Sequence, residues 1–477
     1  MLSQQLYTTK ISANDEMQKS DMDFASFKRI SYEDYLKQYE SKARPEEEIL
    51  VNAAEYSFLE GFEPEILENF MGSETYSLKT GDEGFVEWKI NVPNEGLYNV
   101  SVKYYPIAGK SSSIEREVQL NGEVPFEGAR SVLFSRIWTN GSPIIQDDSG
   151  NEYRPIQIES PEWTEIALSG TIGFFDDSYE FYFKKGENTL RLVSVREPML
   201  IESIRLYRES RVKTYEEITL EYKEKGYSNA EKDIEPIILQ GQDAIRKSDP
   251  TLYPLWDRTS PLTFPYSVSK IRLNTIGGIN WRYPKQWLEW EFDVLNPGLY
   301  SIVIRGKQNF KSGIFVSRRI YINGEVPFEE AANSKFAYSA NWNVVTLGSE
   351  TEPFYFYLEA GLNRITMEVT LGDYGSSISR VQDTIDDLNA LYRAIIQRTG
   401  INPDPYQDYF LTTQIPHMLD TFARSAQVLR EVAEDIASIS GEKSDKTASL
   451  DRMSIQLEDF VANHRTIQRR LGDFNNN

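Results

Sequence analysis

The sequence predicts a mainly β protein with α: two tandem jelly-roll β-sandwiches followed by a C-terminal helical bundle. Three observations predict it. The block Asn-Gly-Glu-Val-Pro-Phe-Glu stands at Asn121–Glu127 and again at Asn323–Glu329, 202 positions later. The same offset carries Glu87, Trp88, Val92, Gly96, Leu97, Tyr98 and Arg116 onto Glu289, Trp290, Val294, Gly298, Leu299, Tyr300 and Arg318, so one domain has been duplicated. Within each copy, short runs alternate apolar and polar residues between turn signals, the pattern of half-buried strands. After Gly375 the apolar residues change to a helical period.

Residues 1–47 form a polar N-terminal tether or helix. Asp23 to Glu48 is charged, with Phe24, Phe27, Ile30, Tyr35 and Leu36 at helical spacing, and Pro45 closes the run. The first sandwich, 48–208, is marked by the alternating runs Phe85–Val92 and Leu97–Tyr105 around the Pro93–Gly96 turn. Glu117–Leu120 then leads into Asn121-Gly122, a type I′ hairpin signal because both central residues must take positive φ. Tyr179–Phe183, Thr189–Val195 and Leu200–Tyr207 complete the module. Copy one holds an additional stretch, Thr139–Ser160, rich in Asn, Gly, Ser, Asp and Pro, which predicts an exposed loop. Residues 209–234 read as a charged linker.

The second sandwich, 235–375, opens at Pro236–Leu239 and continues through Trp287–Val294, Leu299–Ile304, Arg319–Ile322, Phe354–Leu358 and Arg364–Leu371. It has no counterpart of the closing strand Met199–Tyr207 of copy one. Open sheet edges are liabilities, so that strand is expected elsewhere, with the helices inserted before it and this chain the front part of a longer polypeptide. In the helical segment, 376–477, Ile378, Val381, Ile385, Leu388, Tyr392 and Ile395 form one apolar stripe. Further helices are predicted over Met418–Ser438 and Ala448–Leu471.

Composition narrows the chemistry. Lys plus Arg is 51 against 73 for Asp plus Glu, a net charge of −22, which repels phosphate backbones and excludes nucleic acid as a partner. With no cysteine, thiol nucleophiles, disulfides and cysteine-ligated zinc are excluded. His417 and His464 stand alone, which removes imidazole acid–base chemistry. Met1–Ser20 holds no apolar run, so no signal peptide, lipidated cysteine or membrane span is read.

Recognition of a sugar needs a flat apolar face and a few fixed polar groups. Candidates for it are Trp138 with Arg136, Trp163, Trp256, and the cluster Trp281, Arg282, Tyr283 and Trp287 beside Gly277-Gly278. Trp88 and Trp290 sit inside alternating strands and read as core. Arg116 and Arg318, retained in both copies, suit either a bidentate grip on a uronate carboxylate or an internal salt bridge. In the repeated heptapeptide, Asn-Gly makes the turn, Pro sets the exit and Phe docks into the sandwich.

The opening strands ILVNAAEYSF and IILQGQDAIR, with GFVEWKINVPNEGLYNVSVKY and WLEWEFDVLNPGLYSIVIR, resemble carbohydrate-binding modules of families 6 and 35 in the galactose-binding-like superfamily. The resemblance implies a structural calcium ion held by strand-one and last-strand acids, which fall at Glu55 and Glu202 in copy one and Asp243 in copy two. From about Ser31 onward, with SSSIERE, VREPMLIESI, SDPTLYP, LNTIGG and NPDPYQDY, the chain is similar to the N-terminal region of the large extracellular solute-binding proteins of Gram-positive carbohydrate ABC transporters. That resemblance implies a non-catalytic, cell-surface, carbohydrate-binding region. Its partners would be oligosaccharide or polysaccharide and, through a C-terminal domain not in this sequence, the permease. Two other readings stay open at this point: a structural scaffold that contacts protein, and a glycosidase with an unidentified carboxylate pair.

Overall fold

In Phe85–Val92, Val86, Trp88, Ile90 and Val92 point inward while Lys89 and Asn91 face solvent, as the alternation predicts. This strand belongs to the first of two units in the computed structural model, which describes residues 30–73, 75–229 and 235–470. That unit takes the residues up to Phe134 together with Trp163–Ser169 and Tyr179–Arg208. One of its sheets runs 58–60, 85–92, 186–196, 114–120, 132–134. The other runs 164–167, 96–106, 199–207, 76–80, 65–68, with 180–183 also pairing 96–106 and 49–52 also pairing 199–207. The core between them is anchored by Trp88, fully buried, whose indole N–H donates to Ala53 O at 3.0 Å.

The repeated heptapeptide behaves as its chemistry dictates. Asn121 and Gly122 take φ of 53° and 86°, Asn323 and Gly324 φ of 52° and 90°, and Phe126 and Phe328 are buried. Each turn asparagine also accepts from the next strand, Thr189 N at 3.0 Å in copy one and Arg364 N at 2.8 Å in copy two. The asparagine therefore ties the hairpin to the sheet as well as shaping the turn.

Helix α1, Tyr32–Gln38, is capped by Ser31 Oγ, which accepts from Asp34 N. Phe24 and Phe27, read as part of this helix, lie outside the described residues. The Tyr32 ring packs 4.7 Å from Phe126 and 4.6 Å from Tyr179, and its hydroxyl accepts from Glu180 N at 2.8 Å. The second unit repeats this arrangement. Helix α2, Tyr215–Glu224, opens with a Thr214–Glu217 capping box. Its Tyr215 ring lies 4.9 Å from Phe328 and 4.6 Å from Phe354, with the hydroxyl accepting from Tyr355 N at 3.0 Å. Residues 209–234 are thus not a linker over their helical part. They are the second copy of a cap, missed because only Tyr215 and Ile218 reach the core and no amphipathic stripe forms.

The second unit comprises Ser135–Glu162, Gly170–Ser178 and the chain from Glu209 onward. Its large sheet runs 157–159, 138–140, 246–247, 287–294, 361–370, 316–322, 334–336. The stretch Thr139–Ser160 is exposed over much of its length, as its composition predicts, but it is not loop throughout. It forms a hairpin, with Asn140 opposite Gln157, that extends this sheet through Arg246–Lys247. Its turn-rich composition located the bends, but long-range pairing decided the rest.

On the opposing face, 298–301 pairs 355–358 and 303–306 pairs 343–346. No described strand of module two corresponds to 199–207. Contrary to the prediction, Pro236–Leu239 is not a strand.

The helical segment contains α3 (Gly375–Thr399), α4 (Leu411–Gln414), α5 (Met418–Ser440) and α6 (Asp445–Ala462). Leu391, Ile395, Met418, Phe422, Leu429, Leu457 and Phe460 form its core, with Val381, Leu388 and Tyr392 against it. Ile378 and Ile385 of the predicted stripe turn outward. No described helix is long and apolar enough to cross a membrane.

Tyr215→Ala is expected to destabilise the second unit by about 2–4 kcal/mol, the cost of emptying an aromatic site. Leu220→Ala, on the exposed face of α2, should change stability by under about 0.5 kcal/mol. Urea unfolding measures both; equal small effects would restore the linker reading.

Candidate functional site

The two retained arginines are structural. Arg116 is buried, with Nη1 donating to Glu115 O at 2.9 Å and Arg196 O at 3.0 Å, and Nη2 to Thr80 Oγ1 at 3.0 Å and Gly81 O at 3.3 Å. Arg318 donates to Ser317 O at 2.8 Å and Trp281 O at 3.3 Å, and its guanidinium lies 4.3 Å from the Trp281 ring centre. Burial lowers both guanidinium pKa values to about 10. Arg116 has its guanidinium committed to scaffold acceptors, Arg318 has two of its donors so committed, and among the described residues neither pairs with a carboxylate. Each ties a sheet strand to the preceding loop through carbonyl oxygens, acceptors that no sequence pattern marks.

Several predicted contact residues are closed. Arg136, 2% exposed, pairs with Glu159 at 2.7 Å, and Trp138, 8% exposed, lies in the hairpin strand that pairs with Lys247. The Trp163 indole N–H donates to Phe70 O at 3.0 Å. Trp281 packs against the module-two core, its indole N–H donating to Gln286 O at 3.2 Å. Gly277 there has φ of 94°, and a Cβ on it would stand 3.0 Å from the Trp281 ring. Trp287 is half-buried on its strand. Of this cluster, Arg282 and Tyr283 remain open: Arg282 Nη2 donates to the Tyr283 hydroxyl at 2.7 Å, and Tyr283 is 56% exposed.

The acids assigned to calcium do not assemble a cage. Glu202 is buried, accepting from Ser73 Oγ at 2.6 Å and pairing with Lys103 at 2.5 Å, so its charge is already neutralised. Glu55 and Asp243 occupy equivalent 3-10 turns, Ala53–Glu55 and Gly241–Asp243, and both are exposed. Among the described residues, no three acidic or histidine side chains converge on one point, whereas calcium takes six to eight oxygens.

The aromatic surface that is both open and built lies at Trp256. Its indole is 47% exposed, with the Arg258 guanidinium 4.9 Å from the ring centre. Asp257 beside it accepts from Thr259 N at 2.7 Å, Thr259 Oγ1 at 2.5 Å and Trp342 Nε1 at 3.2 Å, and faces Lys307 at 3.6 Å. Partial burial opposes ionisation of this carboxyl, but the bonds from Thr259 and Trp342 and the Lys307 charge outweigh it and bring the pKa below its usual range. Asn274 completes the frame: its Oδ1 accepts from Asp257 N at 2.8 Å and its Nδ2 donates to Pro265 O at 2.9 Å. A loop held this way presents Trp256 as a fixed platform, which lowers the entropy cost of stacking a ring on it. Trp256 was legible as a loop aromatic; the Asp257–Trp342–Lys307 frame spans distant segments and was not.

One buried base lies apart from this surface. Lys247, fully buried, donates to Asn140 Oδ1 at 2.6 Å and Gln157 Oε1 at 2.7 Å, and burial without a carboxylate partner lowers its pKa to about 8.

With this geometry in hand, the comparisons can be placed. Residues 376–477 match the family described as bacterial solute-binding protein, 4-helix bundle domain. No curated protein sequence matches the chain. Among solved structures, it is similar to a GH26-CBM35 β-(1,4)-mannanase of Podospora anserina, at 14% identity over 38% of this chain and 35% of that one, TM-score 0.22. It is similar to a family 35 carbohydrate-binding module of Clostridium thermocellum, at 14% identity over 34% of this chain and 99% of that one, TM-score 0.21. The C-terminal CBM6 of a marine laminarinase from Zobellia galactanivorans gives 13% identity, 34% and 99% coverage and a TM-score of 0.21. The chain thus joins β-sandwich sheets to a helical segment of the solute-binding-protein 4-helix bundle kind.

Lys247 makes stability depend on pH. The unfolded chain keeps it protonated to its ordinary value of 10.5 while the folded chain releases the proton near 8, so the unfolded state binds more protons between these values. Stability should therefore rise by about 2 kcal/mol from pH 8 to 10. Lys247→Met should flatten that slope in urea titrations run across this range.

Proposed function

We propose that this chain is a non-catalytic carbohydrate-binding region of an extracellular solute-binding protein that serves an ABC-type sugar transporter. It would capture oligosaccharide or polysaccharide at the cell surface and raise its concentration near the permease. The observation that carries the reading is the Trp256 platform, an indole held half-open on a loop braced by Asp257, Asn274 and Trp342. Its arrangement suits a sugar ring, with an apolar face for the C–H side and Arg258 to donate to hydroxyls. The match of residues 376–477 to a solute-binding-protein domain supports the transport setting. Asp257 supports a non-catalytic surface, because a carboxylate that stays ionised and already accepts from Thr259 and Trp342 anchors a loop and does not deliver a proton.

A scaffold role is the second reading, and the burial of Trp138 and the packing of Trp281 against the module-two core favour it. Calorimetric titration of the full chain with neutral and uronic oligosaccharides separates the two. Trp256→Ala is expected to weaken binding roughly tenfold or more without shifting the unfolding midpoint, the loss of one stacked ring. Tyr283→Ala tests the Arg282–Tyr283 surface in the same way. No heat from any sugar at millimolar concentration would leave the scaffold reading standing.

A further inference from the structure

The two copies of the duplicated domain carry opposite charge at the same place. Between the opening 3-10 turn and the first long strand, copy one runs 56–84 and copy two 244–286. The first of these segments holds seven acids, one cation, Lys79, and no tryptophan. The second holds two acids, Asp249 and Asp257, and seven cations, and it is the segment that carries Trp256. In a chain of net charge −22, a cationic segment in one copy alone does not follow from overall composition.

Most of the seven cations have work inside the fold. Lys247 is buried, Arg246, Arg272 and Lys285 pair with Glu289, Glu152 and Glu368, Lys270 donates to Ser149 O and Arg282 to the Tyr283 hydroxyl. Arg258 is exposed, lies over the Trp256 ring and, among the described residues, meets no carboxylate. The stretch 303–322 brings further cations to this surface and contains no acid. Arg305 bonds Leu262 O at 3.0 Å and Ser260 Oγ at 2.8 Å, Lys307 stands 3.6 Å from Asp257, and Lys311 on the same loop is exposed. The one acid beside the indole, Asp257, is already engaged by Thr259, Trp342 and Lys307. Salt screens exposed charges beyond about 8 Å at physiological ionic strength, so a group stacked on Trp256 responds to these side chains and little to charge farther off.

We propose that the Trp256 surface takes an anionic glycan: a sugar ring stacks on the indole, and an oxyanion on that ring or the next, a carboxylate or a sulfate, lies toward Arg258 and the cations of 305–311. The inference rests on the carbohydrate-binding reading and narrows it to one charge class. A guanidinium presents parallel N–H donors that match two oxygens of an oxyanion, and the indole supplies the apolar face that a bare cation lacks. Module one, whose equivalent segment is acidic, does not contribute to this recognition.

Calorimetric titration of the full chain with two matched pairs of polymers tests this: polygalacturonate against its highly methyl-esterified form, and dextran sulfate against dextran. At least one anionic polymer should bind roughly tenfold or more tightly than its neutral partner, and the pair that shows the gap identifies carboxylate or sulfate. The gap should shrink as salt is raised to about 0.5 M. Arg258→Gln combined with Lys311→Gln should reduce it to about threefold or less at an unchanged unfolding midpoint. Lys184→Gln combined with Lys185→Gln, which removes the same charge from exposed positions of module one, should leave it as it was. Equal or tighter binding of the neutral polymers overturns the proposal and leaves carbohydrate binding standing. An equal loss of the gap in the module-one variant also overturns it, since the charge of the whole chain would then be the cause. No binding of any of the four polymers removes this proposal and the carbohydrate reading together.

Discussion

Main-chain hydrogen bonding in the middle of the second sheet of each sandwich is the constraint on which the architecture depends. A buried strand has donors and acceptors along both edges, and each left without a partner away from water costs as much as a lost hydrogen bond. Module one meets this with Met199–Tyr207, which pairs three neighbours at once and lets strand 96–106 be buried nearly throughout. Module two has the same first sheet, the same turn and the same indole anchor, Trp290 donating to Gln240 O and Gly241 O at 3.2 Å. Its second sheet instead stays in two-stranded pieces.

The unit of duplication is larger than a sandwich. Tyr32 and Tyr215 each reach from a capped helix into an aromatic pocket completed by the phenylalanine of the repeated heptapeptide, and each hydroxyl accepts a backbone N–H from the strand beside it. The backbone follows suit, with Glu127 N donating to Ile30 O and Glu329 N to Lys213 O. This explains why phenylalanine recurs after the turn: it is the floor on which the cap helix rests.

Retention between copies is a guide to structure here and not to the ligand. Arg116, Arg318, Trp88 and Trp290 recur because each satisfies buried carbonyl groups of the scaffold, a task both copies share. The open aromatics, Trp256 and Tyr283, have no such duty and belong to loops of one copy. Specific recognition placed on a duplicated scaffold is free to differ between copies where the scaffold is not engaged.

The sequence alone determined the duplication, the strand alternation, the positive-φ hairpins, the core role of Trp88 and Trp290 and the change to helices after Gly375. These follow from local periods and turn chemistry, which a short window of residues carries. Tertiary structure alone decided that the ends of Thr139–Ser160 form a sheet edge, that residues 215–224 are a cap, that Trp138 is sealed and Trp281 half-buried while Trp256 is open, and that Glu202 belongs to Lys103. Each of these is a pairing between residues far apart in the chain. Composition shows that such a residue can pair, but only the folded chain brings its partner within bonding distance.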